Sequence, residues 1–198
     1  MVLQKKIREV ERIFSDLEKE MQKFKNTSKL HCLSDCGFCC TRPNVMAAPI
    51  EFLPFAWHLF KNGRAESFLT EMETNPMSTC PLFKSLIQEQ EKGFCSQYPW
   101  RALVCRLFGF AAMVNKHGQP ELSTCRLIKE SQKEAFEITS SQIKEGKWSV
   151  PIYKNYYSKL AAIDTNSPLQ LVPIKQAVSK AIEMVLWDNY FRQPQTGS

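Results

Sequence analysis

The stretch "CLSDCGFCC", residues 32–40, contains four of the eight cysteines of this 198-residue chain. If the stretch is helical, a rotation of about 100° per residue places all four thiols on one face of the helix. If Cys36–Cys39 instead forms a tight turn, its C-x-x-C pair can grip one metal ion, and Gly37 lets backbone amides turn towards the sulfurs. Both conformations favour metal binding, and the residues alone do not choose between them.

Four more cysteines follow, in "CPLF" (80–83), "GFCSQYPWRALVCRLFGF" (93–110) and "STCRLI" (123–128). Zinc-bound sulfurs lie about 3.8 Å apart, whereas neighbouring side chains diverge in a helix or a strand. We therefore expect one of Cys39 and Cys40 to join the main site and the other to face a second metal, a cluster edge or a redox partner. The predicted metal ligands are Cys32, Cys36, Cys39, Cys40, Cys80, Cys95, Cys105 and Cys125.

The redox compartment decides how eight cysteines are interpreted. The N-terminal residues "MVLQKKIREVERIF" carry charges throughout and do not resemble a signal peptide. No stretch approaches the roughly 20 apolar residues of a membrane span, so the sequence predicts a cytoplasmic protein without a membrane partner. Thiols are kept reduced there, which favours metal binding or catalysis over the alternative of four disulfides.

Composition indicates an ordinary globular protein, with 43% hydrophobic and 23% charged residues. The formal charge of +6 counts the thiols as neutral and shrinks if a metal holds them as thiolates. The basic residues are scattered singly and in pairs rather than along one stripe, so a nucleic-acid partner is weakly supported. The sequence contains no Ser/His/Asp pattern, glycine-rich phosphate loop or His-Glu-x-x-His motif.

Hydrophobic periodicity predicts a mainly α fold, in which a helical domain surrounds a cysteine-rich metal-binding centre of short helices. One small β-hairpin is expected around the turn "NKHGQP", 115–120. We divide the chain into an N-terminal amphipathic helix (1–28), a cysteine-cluster metal-binding region (29–126) and C-terminal helices that pack on the same single domain (127–198). Further helices are predicted over about 49–63, 65–73, 126–147 and 151–162. A final helix, with Pro173 expected in its first turn, carries Ile174, Ala177, Val178, Ala181, Ile182 and Val185 on one face.

The N-terminal helix carries apolar residues at alternating spacings of four and three, a heptad pattern. We call these residues the heptad face: Leu3, Ile7, Val10, Phe14, Leu17, Met21 and Phe24. Packing of this face on the domain core is the simpler interpretation. A coiled coil, or a protein partner docked on the heptad face, is the alternative.

The cysteine pattern as a whole resembles the bacterial cysteine-cluster family of zinc- or iron-chelating proteins. The family combines a CxxxCxxCC-like cluster, a CP-x-L element and a G-x-C-x-x-Y-x-x-RP-x-x-CR-x-F element. Residues 32–40 match the first and residues 80–82 the second. The third is matched by Gly93, Cys95, Tyr98, Arg101, Cys105, Arg106 and Phe108. Ala102 replaces the usual proline, which predicts a looser turn.

The resemblance covers about residues 30–126 and implies a chelated metal, zinc or iron. It includes Arg101, which with Arg106 is a candidate cofactor-binding residue. Independently of the resemblance, Arg106 and Arg126 directly follow Cys105 and Cys125. A guanidinium there would offset the charge of bound thiolates, and the alternative is that each arginine points to solvent. The same cysteine pattern occurs in flagellin lysine methylases, so the resemblance also admits an enzyme, although no S-adenosylmethionine site is recognisable here. His31 is a weaker candidate, His58 is expected in the core, and His117 is expected in an exposed turn.

Three functional hypotheses follow. The first is a metal-binding, redox-related protein that holds an iron–sulfur cluster or zinc through its cysteine thiolates. An iron–sulfur cluster, with Phe38, Phe94 and Phe108 as candidate shields from water, is slightly favoured. The second is a component of a protein-modifying, methyl-transfer-like enzyme. The third is a zinc-stapled interaction module that docks through the heptad face.

Overall fold

The structure is a computed structural model that describes residues 2–34, 36–74, 80–86, 92–165 and 167–192. The fold is mainly helical, as the sequence predicts. The helices of the described residues are α1 (Leu3–Ser28), α2 (Leu53–Lys61), α3 (Ala65–Thr74), α4 (Leu103–Leu107), α5 (Arg126–Ser131), α6 (Lys133–Lys144), α7 (Tyr153–Ala161) and α8 (Ile174–Arg192). Short 3-10 turns at Pro49–Phe52 and Tyr98–Trp100 precede α2 and α4.

The described strands are short and form three antiparallel pairs. They are β1 (Met46–Ala47), β2 (Phe83–Ser85), β3 (Gly93–Cys95), β4 (Ala111–Val114), β5 (Pro120–Ser123) and β6 (Val172–Pro173). The pairs are β1 with β6, β2 with β3, and β4 with β5. The β4–β5 hairpin confirms the one predicted at 115–120. The other two pairs were not predicted, because strands of two or three residues leave no periodic signal.

Helix α1 buries its heptad face against its own chain. All seven of the predicted face residues are buried, and Ile13 is buried with them. The helix ends at Lys29, whose backbone is left-handed (φ 60°) and whose N–H donates to the carbonyl of Lys25 at 2.9 Å. The structure therefore confirms packing on the core and gives no support to a coiled coil or a docked partner on this face.

Two hydrophobic cores lie along α1. The first joins its N-terminal end, at Leu3 and Ile7, to α2, α3 and one face of α8. The six residues predicted for the buried face of α8 are all buried in this core. The second core joins the rest of α1 to α4, β4 and α7, with Ile128 of α5 and Ile143 of α6. Because α1 contributes to both cores, it joins the helices of the first core to those of the second.

Two helix predictions differ from the structure in detail. The polar helix expected over 126–147 is divided into α5 and α6 at Gln132, whose backbone (φ −132°, ψ 43°) is not helical. Pro173 was expected in the first turn of the last helix and lies instead in β6. There, the N–H of Ile174 donates to the carbonyl of Val45 at 2.9 Å. At Gln132 the side chain accepts from the N–H of His31 at 3.0 Å and donates to the His31 carbonyl at 2.8 Å. Both positions thus make long-range contacts that the local sequence does not indicate.

None of the described helices has the length and apolar character needed to cross a membrane.

We expect Leu17→Ala to destabilise the protein by about 2–5 kcal/mol, because Leu17 is fully buried in the second core and the shorter side chain leaves a cavity. Ile138→Ala on α6 is the matched control, since Ile138 is 48% exposed and its truncation should cost less than about 0.5 kcal/mol. Urea unfolding at several protein concentrations measures both. An unfolding midpoint that rises with concentration would instead indicate that the heptad face holds an oligomer together.

Candidate metal centre

Residues 32–34 and 36–40, the part of this stretch that the structure describes, contain no helix, so the helical alternative is wrong. The carbonyl of Gly37 accepts hydrogen bonds from the N–H groups of Cys40 (2.8 Å) and Thr41 (3.2 Å), which closes a tight turn over the C-x-x-C pair. Cys36 forms an isolated antiparallel bridge with Lys92, just before β3. A helix through Gly37 would cost about 1 kcal/mol relative to alanine at that position. The turn avoids this cost and lets Cys36 pair with Lys92.

The β2–β3 hairpin brings Cys80 and Cys95 towards this turn. The N–H of Cys80 donates to the carbonyl of Cys40 at 3.2 Å, and the carbonyl of Cys80 accepts from the N–H of Phe83 at 3.1 Å. Phe83 is the register partner of Cys95. Gly93 is required at the hairpin, because a Cβ there would overlap the Lys84 carbonyl and the Phe83 ring.

Cys105 lies on α4 and, together with Cys40 and Cys95, packs against the first core, which also contains the buried Cys80. Ala102, which replaces the family proline, is the N-cap of α4 with φ −62°. Proline would fix nearly the same angle. The backbone at Ala102 therefore has the angle that the family proline would impose, and Ala102 is fully buried.

Cys125 lies beside a different part of the core. It is the N-cap of α5, and its sulfur accepts a hydrogen bond from the N–H of Ile128 at 3.4 Å. It packs against the second core rather than the first. The thiols of Cys36, Cys39 and Cys125 all lie within electrostatic range of Cys32. All eight cysteines are free thiols, so the alternative of disulfides is not seen.

The adjacent Cys39 and Cys40 side chains do not diverge, contrary to the prediction. Their sulfurs lie 3.9 Å apart, because the turn at 37–40 is neither helix nor strand. A hydrogen bond between the two thiols lowers the pKa of Cys39 to about 7 and raises the pKa of Cys40. Cys39 is therefore the thiol of this pair that ionises first.

Burial raises the pKa values of three other thiols. Desolvation raises the pKa of Cys80 to about 12, and it also raises the pKa values of Cys95 and Cys105. Without a metal these three groups are neutral thiols, and a bound cation would have to displace their protons. Among the residues that the structure describes, no group of three or more His, Cys, Asp or Glu side chains already stands in a metal-binding arrangement. The thiols form a neighbourhood of donors, not a closed coordination shell.

The two candidate arginines are fixed by carboxylate and carbonyl oxygens. Arg101 donates to Glu18 of α1 at 2.9 Å and stacks over Tyr98. Arg106 pairs with the same Glu18 carboxylate and donates to the carbonyls of Arg101 (3.0 Å) and Pro99 (2.6 Å). Arg101 acts electrostatically on Cys95, and Arg106 acts on Cys105. The two arginines therefore supply positive charge near the sulfurs, while their hydrogen bonds are made to Glu18 and to backbone carbonyls.

The other candidates lie outside the thiol neighbourhood. The His31 ring nitrogen Nδ1 is 3.1 Å from the Lys29 carbonyl, and His31 is exposed. His58 is half-buried and stacks on Trp100 at 4.6 Å, which agrees with a role in packing. Exposed His117 lies in the β4–β5 turn as predicted. Phe94 and Phe108 are 47% and 38% exposed, so they do not shield the thiols as predicted.

Two carboxylates important to the site were missed by the sequence analysis. Glu51 is fully buried, and its carboxylate accepts from the N–H groups of Ala48 (2.7 Å) and Val104 (3.2 Å). It thereby ties the 3-10 turn before α2 to α4. A glutamate at the third position of a proline-started helix is a capping signal that predicts the first bond. Glu18 carried no signal, since its arginine partners lie more than 80 residues away.

Desolvation raises the pKa of Glu51 to about 7, although the backbone donors oppose the shift. A carboxyl group whose folded pKa is raised stabilises the protein fully below its unfolded pKa of 4.5, and this contribution is lost as pH rises towards 7. Because one pKa unit corresponds to about 1.4 kcal/mol, we expect wild type to lose about 3 kcal/mol relative to Glu51→Gln across this window.

Urea unfolding of wild type and Glu51→Gln between pH 4.5 and 7.5 measures this difference, with equal metal content verified in both. Glu11→Gln, on the exposed side of α1, is the control for removal of one carboxylate. Parallel stability curves for wild type and Glu51→Gln would show that burial of Glu51 is not linked to pH.

The comparisons with known proteins agree with this geometry. A family model described as "Putative zinc- or iron-chelating domain" (CxxCxxCC) matches residues 31–142, which is more than half of the chain and includes all eight cysteines. Comparison with curated proteins and with solved structures gives no match. On the strength of the family match and the cysteine motif, the chain belongs to the CxxCxxCC family of zinc- or iron-chelating domains.

Proposed function

We propose that this protein holds its metal through its cysteine thiolates and that the metal is redox-active iron in an iron–sulfur cluster. The observation that carries the proposal is the convergence of thiols from separate segments on one core. Cys40, Cys95 and Cys105 pack against the same core that buries Cys80, and each comes from a different local structure. Four thiolates are the usual ligand set of such a cluster, which would supply one-electron transfer.

The surroundings of these four thiols support a low-dielectric site. The buried apolar residues of the first core, rather than the predicted phenylalanines, exclude water: Leu82 is 2% exposed, and Ala102 is fully buried. Arg101 and Arg106 supply positive charge at the rim, which offsets a site rich in thiolates. Burial and local charge are two of the factors that set the potential of a metal–thiolate centre.

Zinc is the second candidate, and one distance favours it. The sulfurs of Cys39 and Cys40 are 3.9 Å apart, close to the roughly 3.8 Å between thiolates on one tetrahedral zinc ion. Zinc would stabilise the fold and carry no electrons. The two candidates differ in sulfide content and colour, so one preparation distinguishes them.

The test is elemental and acid-labile sulfide analysis, with an absorption spectrum, of protein purified without air. We expect iron with matching sulfide and a broad visible band that bleaches reversibly on reduction. Zinc without sulfide and without visible absorption would replace the cluster by a structural zinc site. Protein that retains neither metal, and cannot be loaded with Zn²⁺ or with iron and sulfide after thiol reduction, would contradict chelation by this chain.

A further inference from the structure

We propose that Cys39 and Cys40 form a peroxide-sensitive dithiol, and that a reversible disulfide between them takes Cys40 out of the metal site. The inference rests on the proposed function, because Cys40 is one of the four thiols assigned to the metal there. It adds a way in which an oxidant controls metal occupancy. It does not depend on whether the metal is zinc or iron.

The turn at residues 37–40 brings the two sulfurs together. They lie 3.9 Å apart, and either thiol can donate a hydrogen bond to the other. The N–H groups of Cys40 (2.8 Å) and Thr41 (3.2 Å) both donate to the Gly37 carbonyl. The Thr41 hydroxyl also donates to the Phe38 carbonyl at 3.1 Å. The fold therefore presents the thiols as a pair, whose sulfurs must approach to about 2.05 Å to form a disulfide.

The pair is within reach of a small oxidant. Cys39 and Cys40 are both half-buried, and residues 42–44, which follow them closely, are exposed. Cys80, by contrast, is only 8% exposed. Cysteines that sense oxidants are accessible and stand next to a second thiol that resolves the first oxidation product. The adjacent pair meets both conditions.

The reaction needs a two-electron oxidant, and hydrogen peroxide is the one we assign. The Cys39 sulfur attacks a peroxide oxygen, the O–O bond breaks, and the products are a sulfenic acid on Cys39 and one water. The Cys40 sulfur then attacks the Cys39 sulfur, the S–OH bond breaks, and the hydroxyl leaves with the thiol proton as a second water. The two thiols together lose two electrons, and the peroxide gains them. Cys39 reacts first because Cys40 is the thiol assigned to the metal.

Adjacency in the chain makes such a disulfide easy to reduce. Consecutive Cα atoms are about 3.8 Å apart across a trans peptide bond, whereas disulfides prefer Cα atoms about 4.4–6.8 Å apart. Departure from the preferred range stores strain and favours reduction. Strained disulfides are the labile, regulatory ones, and structural disulfides resist reduction. A dithiol reductant therefore reopens the bond between Cys39 and Cys40.

The disulfide acts on the metal through Cys40. This residue packs against the first core, as do Cys95 and Cys105, and its carbonyl accepts from the N–H of Cys80 at 3.2 Å. The thiolate is the form of cysteine that binds metal, so a sulfur held in a disulfide is lost as a ligand. Oxidation thus removes one of the four thiols assigned to the metal. If one zinc ion holds both Cys39 and Cys40, the same bond removes two ligands.

Thiol counting on the reduced, metal-free full chain tests the disulfide. After one equivalent of hydrogen peroxide, alkylation and mass spectrometry should show a fall from eight free thiols to six. Dithiothreitol should restore all eight. In the tryptic peptide 30–61, tandem mass spectrometry should find Cys32 and Cys36 alkylated and the disulfide at Cys39–Cys40.

Three variants test the role of each thiol. Cys39→Ser should stay unoxidised under the same treatment, and Cys40→Ser should stop at a sulfenic acid on Cys39, which dimedone traps. Cys125→Ser is the matched control for removal of one thiol and should lose two thiols to oxidation, as wild type does. The location of the disulfide in wild type decides the proposal even if a variant fails to fold.

Co²⁺ titration after removal of the peroxide links the disulfide to the metal, because sulfur-to-cobalt charge-transfer absorption reports thiolate coordination. We expect oxidised wild type to bind Co²⁺ at least about tenfold more weakly than reduced wild type, since even the outer partners of metal ligands contribute that much. Dithiothreitol should restore the affinity.

Two outcomes overturn the switch and leave metal chelation standing. One is a disulfide between other cysteines of wild type, and the other is oxidised protein that binds Co²⁺ as tightly as reduced protein. Reduced wild type that binds no Co²⁺ would contradict the proposed function, and with it the control of metal occupancy.

Discussion

The Glu51 carboxylate is the interaction on which the arrangement of the cysteine region depends. It is completely buried and accepts hydrogen bonds from the N–H groups of Ala48, before α2, and Val104, in α4. These two segments lie more than 50 residues apart in sequence. The carboxylate joins them where the two cores meet, since neighbouring Ile50 packs against both. Without this bond, α4 would carry unsatisfied N–H groups into the core, and Cys105 would lose its fixed position.

A second long-range contact fixes the same helix from the other side. Glu18 on α1 receives both Arg101 and Arg106, and the Arg106 guanidinium lies over the Phe14 ring at 4.4 Å. The side chain of Arg106 is 8% exposed, so its charge needs the carboxylate and two backbone carbonyls as partners. Helix α1 therefore does more than bury an apolar face. It also anchors the positive charge that lies beside the thiols.

The thiols themselves are held by backbone geometry in segments with little regular structure. The Gly37 turn, the β2–β3 hairpin and the cap of α5 each place one or two sulfurs, and none of these elements is long enough to be stable alone. The surrounding helices supply the packing energy that the short elements lack. A bound metal would add cross-links between the same segments, so we infer that metal and fold stabilise each other in this chain.

Sequence periodicity alone determined the first and last helices, because an apolar face repeats along each: the heptad face of α1 and the Ile174–Val185 face of α8 are buried as predicted. The cysteine spacing likewise identified the family. The turn at residues 37–40, the 3.9 Å approach of Cys39 to Cys40 and the partners of Arg101 and Arg106 were decided by tertiary structure. These features depend on Lys92, Glu18 and Glu51, which meet the cysteine region only after the chain folds. Local sequence carries the period of a helix, but it carries no record of a hydrogen bond between residues tens of positions apart.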